Sequence, residues 1–157
     1  MIRNFEESDL DQVLNLAREI REYHIDLLNG YFKKQDDEIE KNTFLNTLHN
    51  DKTHALVAIK NNKVVGYLLA EFKEANSLIN PQIAHISNFG VTKTNRKNGI
   101  GKKLMDAFFE ICKQKKIAEI KLGVYNKNTT AYKFYENYGF KPIEQKMSFD
   151  LSTYYQE

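Results

Sequence analysis

The sequence predicts an α/β fold: a mixed sheet with helices on both faces. Three observations predict it. Two β-rich runs, Thr53 to Lys60 and Lys63 to Lys73, are separated only by Asn61-Asn62, a two-residue turn that tolerates positive φ. Apolar residues recur at helical steps of three and four both before and after this hairpin. From Gln82 onward the pattern alternates strand, helix, strand, helix, strand. A hairpin run followed by a β-α-β-α-β run requires a mixed sheet covered on both sides.

The elements follow in order. Ile2 to Phe5 reads as a short first strand. Ser8-Asp9-Leu10-Asp11 resembles a capping box, a hydroxyl followed three residues later by a carboxylate. Leu10, Val13, Leu14, Ala17, Ile20, His24, Leu27 and Leu28 then form one helical stripe, with Gly30 as its expected stop. Asp36-Asp37-Glu38 places negative charge at the start of a second helix, where the dipole favours it. Ile39, Phe44, Leu45 and Leu48 supply that helix's apolar side, and Asn50-Asp51 ends it. After the hairpin, Ala75 to Pro81 reads as a loop.

Gln82 to Val91 reads as a strand with Ile83, Ile86, Phe89 and Val91 as its apolar members. Gly90 within it suggests a bulge or a close approach by another element. Leu104, Met105, Phe108, Ile111 and Cys112 form the next helical stripe, and Lys113, Lys115 and Lys116 crowd its last turn. Ile117 to Tyr125 is a strand, Asn128 to Tyr138 a helix stopped by Gly139, and Lys141 to Leu151 a closing strand. The expected order is β-α-α-β-β-β-α-β-α-β.

The 157 residues fit one domain, 1–157, with a real core. A net charge of +2 is too small for bulk attraction to nucleic acid. The single cysteine, Cys112, cannot form an internal disulfide and suits a reducing cytoplasm. No apolar run approaches a membrane span, and the N-terminus lacks a signal-peptide pattern. No His/Cys/Asp/Glu spacing reads as a metal site.

The chemistry begins in a basic, glycine-bearing loop between a strand and a helix, Val91-Thr92-Lys93-Thr94-Asn95-Arg96-Lys97-Asn98-Gly99-Ile100-Gly101-Lys102-Lys103. A helix start leaves backbone N–H groups without intrahelical acceptors, and its dipole favours an anion there. Glycines at 99 and 101 let an anion approach that backbone, and Arg96, Lys97, Lys102 and Lys103 add positive charge nearby. The loop therefore reads as a phosphate or pyrophosphate cradle. It is not a nucleotide P-loop, because GxxxxGK with a following hydroxyl is absent. It is not a dinucleotide fingerprint, because a third glycine is missing. Nucleic-acid phosphates held by Lys93, Arg96, Lys97, Lys102 and Lys103 are a further reading, but no aromatic platform accompanies these charges.

A second series lies downstream, Asn128-x-x-Ala131-x-x-x-Tyr135-x-x-x-Gly139-Phe140. With Arg96-x-x-Gly99-x-Gly101 about thirty residues before it, the chain resembles the GNAT superfamily of acetyl-coenzyme A-dependent N-acetyltransferases. The element order matches from residue 1 to about 151. The resemblance implies a central, mostly antiparallel sheet. It implies that backbone N–H groups of Arg96, Lys97, Asn98, Gly99, Ile100, Gly101 and Lys102 hold the coenzyme A pyrophosphate. The strands ending at Val91 and running from Ile117 would splay, and the pantetheine arm would pair with backbone at Phe89, Gly90 and Val91. Asn128 and Ala131 would meet the pantetheine, and Tyr135 would point its hydroxyl at the thioester sulfur as an acid. Tyr23, Tyr31 and Phe32 would wall an acceptor pocket.

The base is less clear. His85 falls where histone-modifying members of the superfamily carry a catalytic glutamate. Other members place an acid at what is here Ser87 or Asn88, and neither is acidic here. His85, with an ordinary pKa near 6.5, is one candidate. Glu71, sharing a face with Tyr67 and Leu69 if pairing is regular, is the other. A water relay is a third.

The resulting expectation is acetyl transfer from acetyl-coenzyme A to a primary amine in a ternary complex, the acceptor being a small molecule or a protein or peptide amine. Neither nucleic acid, membrane nor metal is expected as a partner. A homodimer could form if the closing strand paired between subunits. A non-catalytic acyl-coenzyme A-binding module of the same fold is the alternative.

Overall fold

The computed structural model describes residues 1–29, 36–74 and 82–155. The chain falls into two compact units, Met1–Gly123 and Val124–Glu157. Gly30, Tyr31, Phe32 and the expected loop at 75–81 lie outside the described residues.

The first unit holds a five-stranded sheet among the described residues, in the order β1-β2-β3-β4-β5. Its strands are β1 (Ile2–Asn4), β2 (Thr53–Lys60), β3 (Lys63–Lys73), β4 (Ile83–Val91) and β5 (Glu119–Leu122). The first four pair antiparallel and β5 joins β4 in parallel. The hairpin lies where the sequence places it, and Asn61 and Asn62 both take positive φ, 51° and 58°. That is the conformation a two-residue hairpin turn demands.

Helices α1 (Leu10–Leu27) and α2 (Asp37–Leu48) cover one face of the sheet. Val13, Leu14, Ala17 and Ile20 of α1 and Phe44 of α2 form one buried cluster with Ala55, Val57, Tyr67 and Leu69. Ile39 does not join it: α2 turns that side chain outward, 57% exposed. Helix α3 (Ile100–Gln114) covers the opposite face. Its Leu104 and Ile100 side chains pack over Gly66, and Phe108 stacks on Phe72 with centroids 6.2 Å apart. Leu104, Met105 and Phe108 are fully buried, which stabilises the fold by roughly 1.5–3 kcal/mol apiece.

The start of α1 differs from the sequence expectation. The capping box is Glu6 with Asp9 around a short 3-10 turn, Glu7–Asp9, and not Ser8 with Asp11. The cause is Arg3, which grips Asp9 with two hydrogen bonds of 2.7 and 2.8 Å, while the Glu6 N–H donates to the same carboxylate at 3.0 Å. These donors hold the buried Asp9 carboxyl below its ordinary range. Its stabilisation is complete above the unfolded value and is lost as pH falls through the lower folded value. Asp9→Asn should cost about 2–3 kcal/mol at pH 7. The variant should also lose less stability than wild type between about pH 5 and pH 3. Parallel pH profiles in urea denaturation would contradict this role.

Strand β4 carries an irregularity that aims its side chains. Leu69 pairs with Asn88 and Ala70 with Ile86, so Ser87 is an extra residue, a bulge. The bulge puts Ile86, Phe89 and Val91 on the α3 face although two residues, Ser87 and Asn88, separate the first two. At Gly90 the sequence allowed a bulge or a close approach, and the structure has the close approach. A Cβ there would run into the Ile20 side chain of α1. Gly90→Ala should therefore cost about 1–3 kcal/mol, and Ile20→Val in the same chain should restore part of it. Additive losses in the double variant would contradict the contact.

Strand β5 is shorter than the predicted Ile117-to-Tyr125 run. Its pairing with β4 spans only Ile83 to Ile86 against Glu119 to Leu122. Strand β4 runs on for residues 87–91 past the last β5 partner, so β5 offers that stretch no ladder.

In the second unit, α4 spans Thr129–Tyr138. Asn128 caps it, its side-chain oxygen accepting from the Ala131 N–H at 3.2 Å. Gly139 ends it in the left-handed conformation at φ 106°, where only glycine is free of strain. The closing strand expected from Lys141 to Leu151 is absent: residues 140–150 carry no regular structure. Alternating polarity made that stretch look like a strand, but a strand exists only through a ladder to a neighbour. Among the described residues of this unit there is no second strand, and Pro142 removes a donor. Ile143, Met147 and Phe149 are exposed.

Candidate active site

The basic loop leaves the end of β4 through a 3-10 turn, Lys93–Asn95, and enters α3 at Ile100. Lys97 and Gly99 both take positive φ, 63° and 73°. Alternating hand over successive residues turns backbone N–H groups toward a common centre, the geometry of an anion nest. Gly99 is the N-cap of α3 and contributes no capping side chain. A Cβ built on it would meet nothing within 4 Å, so the ground above the helix start is open. Helix geometry leaves the first-turn N–H groups of Ile100, Gly101 and Lys102 without intrahelical acceptors. Nest, helix terminus and adjacent lysines together fit a pyrophosphate.

Arg96 does something different from its neighbours. Its Nε donates to the Val91 carbonyl at 3.0 Å, and its guanidinium lies 5.4 Å from the centroid of the Tyr23 ring. The side chain thus fastens the loop to β4 and α1, while its backbone N–H closes the 3-10 turn by donating to the Lys93 carbonyl at 3.5 Å. Tyr23 supports Arg96 from α1, and its ring meets His24 edge-on at 5.7 Å. Glu19 adds a second tie, accepting from the Lys93 N–H at 2.7 Å. Lys60 adds a third, donating to Asn95 at 3.2 Å. Sequence reading missed Glu19 and Lys60, because partners 74 and 35 residues away leave no local pattern.

Phe89, Gly90 and Val91 lie on the stretch of β4 that continues beyond β5. His85 and Glu71 are directly opposite each other in the β3–β4 ladder. Side chains opposite in an antiparallel pair share a face with Cβ atoms about 5 Å apart. Both candidate bases therefore stand together, on the α1 and α2 side of the sheet with Tyr67 and Leu69. On that same face the Tyr67 hydroxyl donates to the Asn88 side-chain oxygen at 2.7 Å. Tyr67 is fully buried, and burial drives its phenol well above the ordinary range, so it keeps its proton.

In the second unit, Tyr135 is half-buried between Phe134 and Phe140, with ring centroids 5.5 and 5.8 Å away. Burial pushes its phenol up to about 12. Asn128, about two turns earlier, uses its side-chain oxygen to hold the Ala131 N–H, which fixes the start of the same helix.

Cys112 is buried on the sheet side of α3, and burial pushes its thiol up to about 11, which makes it an inert packing group. Among the described residues no group of three or more His, Cys, Asp or Glu side chains could hold a metal ion. Among them, too, no helix is long and apolar enough to cross a membrane.

A family model described as the acetyltransferase (GNAT) family matches residues 15–140. N-alpha-acetyltransferase 60 of Danio rerio is 33% identical over 108 residues, covering 59% of this chain and 45% of that protein. The chain thus matches less than half the length of this curated relative. A tetramutant of the BH1408 protein from Bacillus halodurans has the same fold, with a TM-score of 0.88 at 23% identity over 96% of this chain and 99% of that one. The aminoglycoside acetyltransferase AAC(6')-Iy, solved with a coenzyme A bisubstrate analogue, superposes with a TM-score of 0.73 at 18% identity, over 96% of each chain. With the loop and the α4 series in the described geometry, and four-fifths of its length inside the family match, this chain belongs to the acetyltransferase (GNAT) family.

Proposed function

We propose that the chain is an N-acetyltransferase, acting as one domain over residues 1–157, that moves an acetyl group from acetyl-coenzyme A to a primary amine within a ternary complex. The observation that carries this reading is the left-handed Lys97–Gly99 nest. It opens onto the α3 terminus just where β4 outruns β5. The nest would hold the pyrophosphate through backbone N–H groups from Arg96 to Lys102. Residues Phe89 to Val91 would offer strand backbone to the pantetheine.

Acetyl-coenzyme A supplies an activated acyl group, whose transfer forms an N–C bond as the C–S bond breaks. The protein's share is to orient the amine, take its proton and ease thiolate departure. A lysine-like amine, pKa about 10.4, costs about 4 kcal/mol to deprotonate near pH 7.4. An amine of pKa near 8 costs under about 1 kcal/mol. His85 and Glu71, opposite each other in the β3–β4 ladder, would receive that proton, directly or through water. Tyr135 would donate a hydrogen bond to the leaving sulfur.

The names of the relatives give two acceptors, an N-alpha amine in one and aminoglycosides in others. The test is thiol release from acetyl-coenzyme A with a panel of amines, with the acetylated amine identified by mass. The expected result is amine-dependent release with a matching product. Tight coenzyme A binding with no turnover on any amine would instead establish a non-catalytic binding module.

A further inference from the structure

We propose that Asn88 selects the acceptor: its carboxamide N–H groups bind an oxygen on the carbon next to the reacting amine, so the substrate is a primary amine with a neighbouring carbonyl, hydroxyl or ether oxygen. This role presupposes the acetyl transfer proposed above and narrows its acceptor. It is carried by three features of the β3–β4 face.

The first is the orientation of the amide. The Tyr67 hydroxyl donates to the Asn88 Oδ1 at 2.7 Å. A buried phenol must place its proton on an acceptor, and Asn88 offers one only through its oxygen. That bond spends the acceptor half of the carboxamide and leaves Nδ2, a two-proton donor, as the half it presents. Asn88 is itself exposed, so the donor is within reach of a molecule in solution.

The second is position. Asn88 follows the Ser87 bulge and opposes Leu69, one residue before the 89–91 stretch proposed for the pantetheine. On the same face, His85 and Glu71 stand on the other side of the bulge. An amine lying between them and the thioester brings its neighbouring carbon toward Asn88.

The third is charge. A carboxylate at Asn88 would attract any ammonium group and would also raise its basicity. An amide does neither. It rewards an oxygen acceptor and favours amines that already deprotonate easily, and electron-withdrawing oxygen on the next carbon lowers amine basicity. Peptide-like α-amines and amino sugars share that chemistry.

Three probes separate the possibilities: alaninamide, glucosamine, and a fluorinated ethylamine of matched basicity that lacks the oxygen. Wild type should prefer at least one oxygen-bearing amine over the fluorinated one by about 10- to 100-fold in kcat/KM. Which of the two leads identifies the source. Asn88→Asp keeps an acceptor for Tyr67 but loses both donors, and should collapse that ratio by at least about 10-fold; Asn88→Ala should do the same. Tyr67→Phe frees the amide to rotate and should lower the ratio by less, with Tyr67 acting as a positioning residue. A ratio unchanged in Asn88→Asp and Asn88→Ala would overturn the assignment while leaving acetyl transfer intact. No turnover by wild type on any probe or on a wider amine panel would overturn both.

Discussion

Gly101→Asp should weaken coenzyme A binding by about 100-fold while leaving the fold at least as stable as wild type. Two charges a few ångströms apart near a protein surface repel by about 2–4 kcal/mol after partial screening, and about 2.7 kcal/mol is a hundredfold in affinity. The same carboxylate sits in the first turn of α3, where it complements the helix dipole and contributes up to about 1 kcal/mol. Affinity and stability therefore move in opposite directions. A binding defect caused by misfolding would lower both. Calorimetry with coenzyme A and thermal unfolding of the same variant check the pair of outcomes, and unchanged affinity would remove the anion site from this loop.

Tyr135→Phe should lower kcat by about 10- to 100-fold with KM for acetyl-coenzyme A changed less than about twofold. The ring would keep its contacts with Phe134 and Phe140, so only the hydroxyl is lost. With the phenol pushed up to about 12, full proton transfer to a thiolate of pKa about 8.5 would run uphill by about 5 kcal/mol. In the proposed role Tyr135 would therefore serve chiefly as a hydrogen-bond donor to developing negative charge, and less as a source of a free proton. It follows that kcat should show no loss from tyrosine ionisation below about pH 11. A Tyr135→Phe enzyme with full kcat would leave the α4 series a structural motif.

Much of the scaffold was legible because local chemistry decides it. Asn61-Asn62 had to be a tight hairpin, Gly139 had to end a helix, and the Leu104-to-Cys112 stripe had to face a core. The β4 bulge at Ser87 was not legible: with both faces of the sheet covered, apolar residues of either parity can be buried, so Ile86 and Phe89 three apart carry no signal. The suspected irregularity at Gly90 was instead room for Ile20.

Other features depend on partners far along the chain. Arg3 displaces the expected cap by seizing Asp9, Glu19 ties α1 to the loop, and Tyr67 orients Asn88 across 21 residues of sequence. None of these leaves a periodic trace. At Lys141 to Leu151 the local pattern was misleading for the opposite reason. Alternation there satisfies the requirement for a strand face but supplies no neighbouring edge. Within the candidate site, the passage from strand through basic loop to helix at Ile100 was readable from residue types alone. The pairing of His85 with Glu71 needed the β3–β4 register, which the bulge shifts by one.

The most direct test of the central claim is an initial-velocity study with acetyl-coenzyme A and an accepted amine both varied. Direct attack in a ternary complex predicts double-reciprocal lines that intersect. Parallel lines would contradict it, because they require an acetyl-enzyme formed on a nucleophile, and the buried Cys112 thiol cannot serve as one.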